Sequence, residues 1–176
     1  MNAKKKVIAV LATSVICMQS IPIVTANAIS TQFIIDNDPT STSGYTGYGN
    51  GFSYMSNSSC YNGDARYAPG DAAYTYSWKH SKVRAGSGTT LNSTLQVYLN
   101  HASFSASTVD YSLYVNGSIQ YIGWINQNIA PGGWNYISSR YNSFGGSPYI
   151  EGALVRADGA SPGYTGADAI KLTYSW

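Results

Sequence analysis

The sequence predicts an all-β fold, an antiparallel β-sandwich of the jelly-roll type. Apolar and polar residues alternate along several short segments, which is the period of a half-buried strand. Eighteen glycines fall mainly between these segments, where turns need positive φ or close backbone approach. No helical period separates the segments, so the crossovers of a parallel sheet are not expected.

Eight strands are predicted between residues 32 and 174. Polar and apolar residues alternate from Thr94 to Asn100 and again over Tyr111–Val115. Asn116-Gly117 follows at once and Ser118–Ile122 runs back, which is the strongest short-range signal for a hairpin. The other strands are predicted at Gln32–Asp36, Ala73–Trp78, Trp134–Tyr141, Tyr149–Ala157 and Ala169–Tyr174. Trp78 and Trp134 are expected to be core residues.

Residues 1–28 have the pattern of a secretory signal peptide. A basic start at Lys4–Lys6 is followed by an apolar run and by Ala26-Asn27-Ala28, which suits signal peptidase. A retained N-terminal anchor is the alternative, although polar residues and Pro22 interrupt the run. The sequence therefore predicts a secreted, extracellular protein, with the bacterial cell surface as one location, whose single domain spans residues 29–176.

The charge of the chain comes largely from that leader. Three of the ten basic residues lie in it, so seven basic residues face eight acidic ones in the predicted mature chain. Without a basic excess, neither nucleic acid nor an anionic membrane is an expected partner. One cysteine is left, Cys60, which we expect to be a free thiol in a loop.

Aromatic residues far outnumber the residues that catalysis usually needs. There are 16 Tyr, 4 Trp and 4 Phe but a single glutamate, Glu151. His80 and His101 lack zinc-ligand spacing, and no G-x-S-x-G elbow is present. A polysaccharide lyase that uses Tyr, Arg and His is left open by composition. The balance favours a non-catalytic binder, because flat rings with polar edges recognise sugars.

The segment from Thr40 to Gly63 is short of long aliphatic residues and dense in Gly, Ser, Asn and aromatics. We expect a long surface loop, which in a compact domain is often functional. Its Tyr45, Tyr48, Tyr54 and Tyr61 are candidate sugar-stacking residues, or alternatively a cap over one end of the sandwich. Trp124 is a further candidate, since alternation places Ile122 and Trp124 on the face opposite Tyr121.

Three aspartates form a candidate metal site. Asp36 and Asp38 flank Asn37 at the end of the first predicted strand, and Asp168 precedes the last. If those two strands are neighbours, these oxygen ligands could surround a Ca²⁺ ion. Hydrogen bonding to nearby backbone N–H groups at strand ends is the alternative role. No other cofactor is predicted.

Several segments resemble the family of golvesin C-terminal-like domains, also described as the carbohydrate-binding-like domain of xanthan lyase. They are IIDND at Ile34–Asp38, NGDARYA at Asn62–Ala68, AAYTYSW at Ala72–Trp78, GGWNYI at Gly132–Ile137 and ADAIKL at Ala167–Leu172. In this order they cover nearly the whole mature chain. The resemblance implies a galactose-binding-like β-sandwich with an extracellular role, often as an accessory to a catalytic domain.

Two functions of different class follow. The first is a secreted module that binds polysaccharide or a cell-surface glycan by aromatic stacking. The second is an extracellular structural or adhesive protein that binds protein partners or itself, because Tyr, Gly, Ser and Asn also populate protein-recognition loops.

Overall fold

The fold is almost entirely β-structure. The structure, a computed structural model, describes residues 29–37, 46–142, 148–157 and 162–176, so the predicted signal peptide lies outside it. Within the described part of the chain, no helix has the length and apolarity that a membrane span requires. The strands are β1 (Ser30–Ile35), β2 (Thr46–Asn50), β3 (Ser53–Ser56), β4 (Asp64–Pro69), β5 (Thr75–Arg84), β6 (Leu91–Leu99), β7 (Val109–Val115), β8 (Ser118–Ile125), β9 (Gly133–Asn142), β10 (Tyr149–Arg156), β11 (Tyr164–Ala167) and β12 (Ile170–Ser175), with a short 3₁₀ turn at Tyr61–Gly63.

The strands form three antiparallel sheets, which confirms the predicted fold class. The four-stranded sheet has the order β1-β12-β6-β9, the five-stranded sheet β2-β5-β10-β7-β8, and the three-stranded sheet β11-β4-β3. All eight predicted strands are present. The predicted Asn116-Gly117 turn joins β7 to β8, and both residues have positive φ.

One apolar core lies between the four-stranded and the five-stranded sheet. Leu95 and Leu172 of the former and Leu113 and Trp78 of the latter belong to a single buried cluster. The indole Nε1 of Trp78 donates a hydrogen bond to the carbonyl of Asp168 at 3.1 Å, so the largest core side chain also satisfies its polar atom. The core thus holds the two sheets together in fixed positions, and their outward faces are left for other roles.

The prediction of a long loop over Thr40–Gly63 is wrong for two parts of that segment, which form β2 and β3. β2 pairs with the edge of β5, and backbone hydrogen bonds alone suffice for such a strand. Gly49 is needed there, because a Cβ at this position would lie 2.4 Å from Cδ2 of Tyr76. Further on, Phe52 and Met55 pack against the core, which the composition did not suggest.

Cys60 is a free thiol in a loop, as predicted, but it is buried. It lies just before the 3₁₀ turn, is 5% exposed and belongs to the core cluster. Burial, with the charges of Asp168 and Asp64 nearby, raises the pKa of its thiol to about 11. The thiol is therefore a packing group that stays protonated at neutral pH.

Candidate functional site

The outward face of the five-stranded sheet combines aromatic and polar side chains. Every second residue of β7 is apolar and points into the core. Asp110, Ser112 and Tyr114 therefore point outward. Residues opposite one another on antiparallel strands share a face. Leu154 and Arg156 of β10 therefore lie beside Ser112 and Asp110.

β8 adds two exposed rings to this face because it contains a bulge. Tyr121 lies opposite Ser112, and Gly123 opposite Tyr111, so Ile122 is the extra residue. The prediction that Trp124 lies on the face opposite Tyr121 is therefore wrong. Both rings project outward, with 51% of Tyr121 and 57% of Trp124 exposed, while Ile122 is buried.

A groove runs across this face. It has a volume of about 470 Å³, and the buried residues Ser112 and Leu154 contribute to its lining. Tyr114, Tyr121 and Arg156 contribute to its lining as well. We call this surface the aromatic face, defined by the outward rings of Tyr114, Tyr121, Trp124 and Tyr149 and the outward residues between them. Its size suits a ligand-binding cleft.

Three cations on the aromatic face lie over tyrosine rings. The Lys79 ammonium is 4.4 Å from the ring centroid of Tyr114, whose hydroxyl is 2.9 Å from Oγ of Ser77. The Lys82 ammonium and the Arg84 guanidinium lie 4.5 and 4.9 Å from the ring centroid of Tyr149. Cation–π attraction thus restrains these charges, whereas no cation is found over Tyr121 or Trp124 within the described residues.

Sequence analysis selected only Trp124 from this face and missed the other three rings. Tyr114 could have been found, because it occupies an outward position in a cleanly alternating strand. Tyr121 was missed because the bulge at Ile122 was not predicted, although Gly123 inside the strand pattern is a weak signal of one. Tyr149 joins the face through its pairing with Arg84, a contact between distant segments.

The four tyrosines predicted in the Thr40–Gly63 segment do not form one platform within the described residues. Tyr45 lies outside them, and the backbone of Tyr48 pairs with Ser77 at the edge of the five-stranded sheet. Tyr54 is exposed beneath the Arg66 guanidinium, 4.8 Å from its ring centroid. It lines a separate cleft of about 290 Å³.

Tyr61 packs among other rings at the outward side of the four-stranded sheet. It makes edge-to-face contacts of 5.5 Å with both Tyr98 and Trp134. The expectation that Trp134 is a core residue is wrong, because it pairs with the outward-facing Tyr98 and lies under the Lys171 ammonium at 4.2 Å. This cluster resembles a cap over the end of a sheet more than an open stacking surface.

The predicted metal ligands Asp36 and Asp168 lie near one another, and Asp38 falls outside the described residues. Oδ2 of Asp36 accepts a hydrogen bond from Asn62 at 2.6 Å, and Oδ2 of Asp168 accepts one from the Tyr61 N–H at 3.0 Å. Among the described residues, no group of three His, Cys, Asp or Glu side chains forms a metal-binding set.

Three buried oxygens in this region nevertheless find no hydrogen-bond partner among the residues that the structure describes, namely Oδ1 of Asn37, Asp64 and Asp168. Burial, together with the charges of Asp36 and Asp64, raises the pKa of Asp168 to about 8, and the hydrogen bonds from the backbone N–H groups of Tyr61 and Ala169 oppose this shift. Without a cation, Asp168 is therefore largely protonated at neutral pH.

Both histidines have structural partners. The ring of His80 is buried, stacks on Phe33 with centroids 4.4 Å apart, and lies 2.7 Å from the hydroxyl of Tyr174. His101 contacts Asn57 at 3.0 Å. Glu151 pairs with Lys82 at 3.8 Å.

Comparison with known proteins defines the fold. Neither a family model nor a curated protein sequence matches the chain. A xanthan lyase from Paenibacillus is similar in structure, with a TM-score of 0.53 and 20% identity over 81% of this chain and 13% of the lyase. At this identity the likeness shows a shared fold, and the chain spans about an eighth of the lyase.

Two carbohydrate-binding modules are more distant. A family 35 module from Clostridium thermocellum has a TM-score of 0.47 and 14% identity over 81% of this chain and 97% of the module. The C-terminal family 6 module of a marine laminarinase from Zobellia galactanivorans has a TM-score of 0.42 and 14% identity, over 81% and 99%. The membership in the golvesin-like family stays a prediction.

Proposed function

We propose that the chain is a secreted, non-catalytic carbohydrate-binding module that holds a polysaccharide on the aromatic face. The observation that carries this is the pair of exposed rings, Tyr121 and Trp124, beside a groove lined with polar and aromatic residues on paired strands. Strands held by a core present such rings in fixed positions, which lowers the entropy cost of binding. A mature N-terminus at Ile29, measured by mass spectrometry of exported protein, would support the secretion part.

The two rings are spaced for an extended ligand. Tyr121 lies opposite Ser112 and Trp124 opposite Asp110, two residues along β7. Two residues of an antiparallel strand advance about 6.8 Å, so the rings meet successive parts of a chain that lies along the strand. The apolar face of a pyranose packs on each ring, and the side chain of Ser112, which lines the groove, lies beside its hydroxyls.

A double substitution, Tyr121→Ala with Trp124→Ala, tests the proposal. Binding to a panel of neutral and carboxylated polysaccharides is measured by affinity electrophoresis and calorimetry. Each lost ring removes about 1–2 kcal/mol of contact, so we expect affinity to fall roughly a hundredfold. The matched control is Tyr141→Ala, which removes a still more exposed ring from the four-stranded sheet and should leave binding unchanged.

Binding that survives the double substitution would place the site elsewhere. The cleft beside Tyr54 is then the second location, since Tyr67 and Tyr164 also line it, and Tyr54→Ala would reduce binding instead. Failure to bind any polysaccharide, with self-association seen by sedimentation, would favour the adhesive alternative. Exposed Ile119 and Ile129 are the apolar residues that such an interface would use.

A further inference from the structure

Positive charge is concentrated on the aromatic face. The described residues include seven basic side chains, and four of them lie on this one surface, namely Lys79, Lys82, Arg84 and Arg156. Asp110 and Glu151 are the acidic residues beside them. The surface therefore carries a net positive charge, although acidic residues outnumber basic ones from Ile29 onward.

We propose that the aromatic face binds a carboxylate-bearing polysaccharide, one that contains uronic acid residues. This inference rests on the proposed function and names the class of its ligand. A neutral glycan would gain no charge pairing from four cations, whereas carboxylates along a polymer match a row of ammonium and guanidinium groups.

The strand register distributes these cations along the face. Arg84 lies opposite Tyr149 at one end, and Lys79 lies opposite Gly152. Arg156 lies opposite Asp110, which in turn faces Trp124, at the other end. A ligand that stacks on Tyr121 and Trp124 therefore passes Arg156 first and reaches Lys79 further along.

The rings of the aromatic face divide into two groups. Tyr114 and Tyr149 lie under cations and hold them in place, while Tyr121 and Trp124 are left for stacking. Long charged side chains normally lose much rotamer freedom when they bind an anion. Cation–π contacts restrain them beforehand, so a carboxylate meets cations that are already positioned.

The opposite surface offers a comparison within the same molecule. On the outward face of the four-stranded sheet, β6 and β12 present mainly hydroxyl and amide groups, with Lys171 as the basic residue. Lys171 lies over Trp134, and the core separates it from the aromatic face. It is therefore a matched control for the loss of one charge.

The experiment compares polygalacturonate with fully methyl-esterified polygalacturonate, the same sugar with and without its charge. Affinity is measured at about 20 mM and about 500 mM NaCl, because screening weakens exposed charge pairs at high salt. We expect the charged polymer to bind at least tenfold more tightly, with the difference lost at high salt. Lys79→Gln with Arg156→Gln should abolish the preference and keep binding to the ester, whereas Lys171→Gln should keep both.

Each outcome decides one question. Equal, salt-insensitive binding of both polymers would overturn the carboxylate inference and leave the proposed function standing. Tighter binding of dextran sulfate than of polygalacturonate, alginate or hyaluronan would replace carboxylate by sulfate as the ligand group and so overturn the inference. Absence of binding to every charged and neutral polymer would overturn the proposed function itself. Retained affinity for the ester and an unchanged unfolding temperature show that the variants are folded.

Discussion

His80 is a basic side chain that the fold keeps neutral. Its imidazole stacks on Phe33 and contacts the Tyr174 hydroxyl inside the core. Burial lowers the pKa of His80 below its usual 6.5, while the carbonyl of Ser81 and the charge of Glu151 oppose the shift. The depressed pKa means that the unfolded chain binds a proton more readily than the folded one.

This difference predicts acid sensitivity. Stability from His80 is complete above about pH 6.5 and is lost as the pH falls below that value, because the unfolded state then takes up the proton first. We expect the free energy of unfolding of the wild type, measured by urea titration from pH 8 to 5, to decline more steeply than that of His80→Gln. The comparison uses slopes, since the substitution also removes the stacking on Phe33.

His101→Gln is the matched control for that titration, because His101 is half-buried and lies outside the core cluster. Its slope should follow the wild type. Parallel slopes for the wild type and His80→Gln would show that His80 does not contribute to acid sensitivity.

At the scale of strands, the sequence predicts where pairing occurs better than where it is interrupted. Alternation over Tyr111–Val115 and the Asn-Gly pair located β7, β8 and their turn. The bulge at Ile122 was not predicted, because its one signal is a glycine within the strand pattern, Gly123, where a Cβ would lie 3.0 Å from Ile137 of β9. A single extra residue thus decided which face Trp124 occupies.

Short edge strands escaped prediction for another reason. β2 and β3 are built from Gly, Ser, Thr, Tyr and Asn with a single Met, and they have no alternating apolar pattern. β2 is specified by a partner strand distant in sequence, β5, whereas β3 pairs with the next strand, β4, across the 3₁₀ turn. The composition correctly indicated that long aliphatic residues are scarce in this segment. The loop predicted from it is wrong, because the backbone of these residues forms strands.

A second interruption, at Gly152 in β10, leads to a stability prediction. The register shifts between Ile150 and Gly152, and Gly152 has φ of 146°. A Cβ there would lie 2.0 Å from the carbonyl oxygen of Trp78. We expect Gly152→Ala to lower the free energy of unfolding by at least about 3 kcal/mol, since it combines backbone strain with a clash against a central strand.

Gly88 separates the two effects. It also has positive φ, at 75°, but no atom lies within 4 Å of a Cβ built on it. Gly88→Ala should therefore cost about 1 kcal/mol, which is the conformational penalty alone. Urea unfolding of both variants gives the comparison, and equal losses would mean that the contact with Trp78 relaxes without cost.

For the whole molecule, the aromatic face could not be assembled from sequence. Its residues come from β5, β7, β8 and β10, and β10 lies between β5 and β7 although it follows both in the chain. Only the order of strands brings Arg156 beside Asp110 or Tyr149 beside Arg84. Sequence analysis therefore identified aromatic rings, the kind of residue that the proposed site uses, but named only Trp124 among the four rings of this face.

The predicted calcium site lies where the three sheets meet. Asp36 follows β1, Asp64 begins β4, and Asp168 precedes β12. Asn37 and Asp168 also accept hydrogen bonds through their carbonyls from Tyr76 and Trp78 of the five-stranded sheet. A cation here would join all three sheets, and it would satisfy the Oδ1 atoms of Asn37, Asp64 and Asp168, which have no partner within the described ranges of the chain.

This prediction is checked by thermal unfolding in Ca²⁺ and in EGTA. A cation that binds only the folded state at a hundred times its dissociation constant adds about 2.7 kcal/mol, which for a domain of this size raises the midpoint by roughly 5–10 °C. Asp168→Asn should lose most of that increase, while Asp71→Asn, which replaces an exposed carboxylate, should keep it.

Mg²⁺ should give a smaller shift in the unfolding midpoint because it needs a tighter octahedral set of ligands. Identical unfolding midpoints in Ca²⁺ and EGTA would contradict the calcium site. The buried Asp168 carboxyl would then be protonated and purely structural, with the Tyr61 N–H as its hydrogen-bond partner.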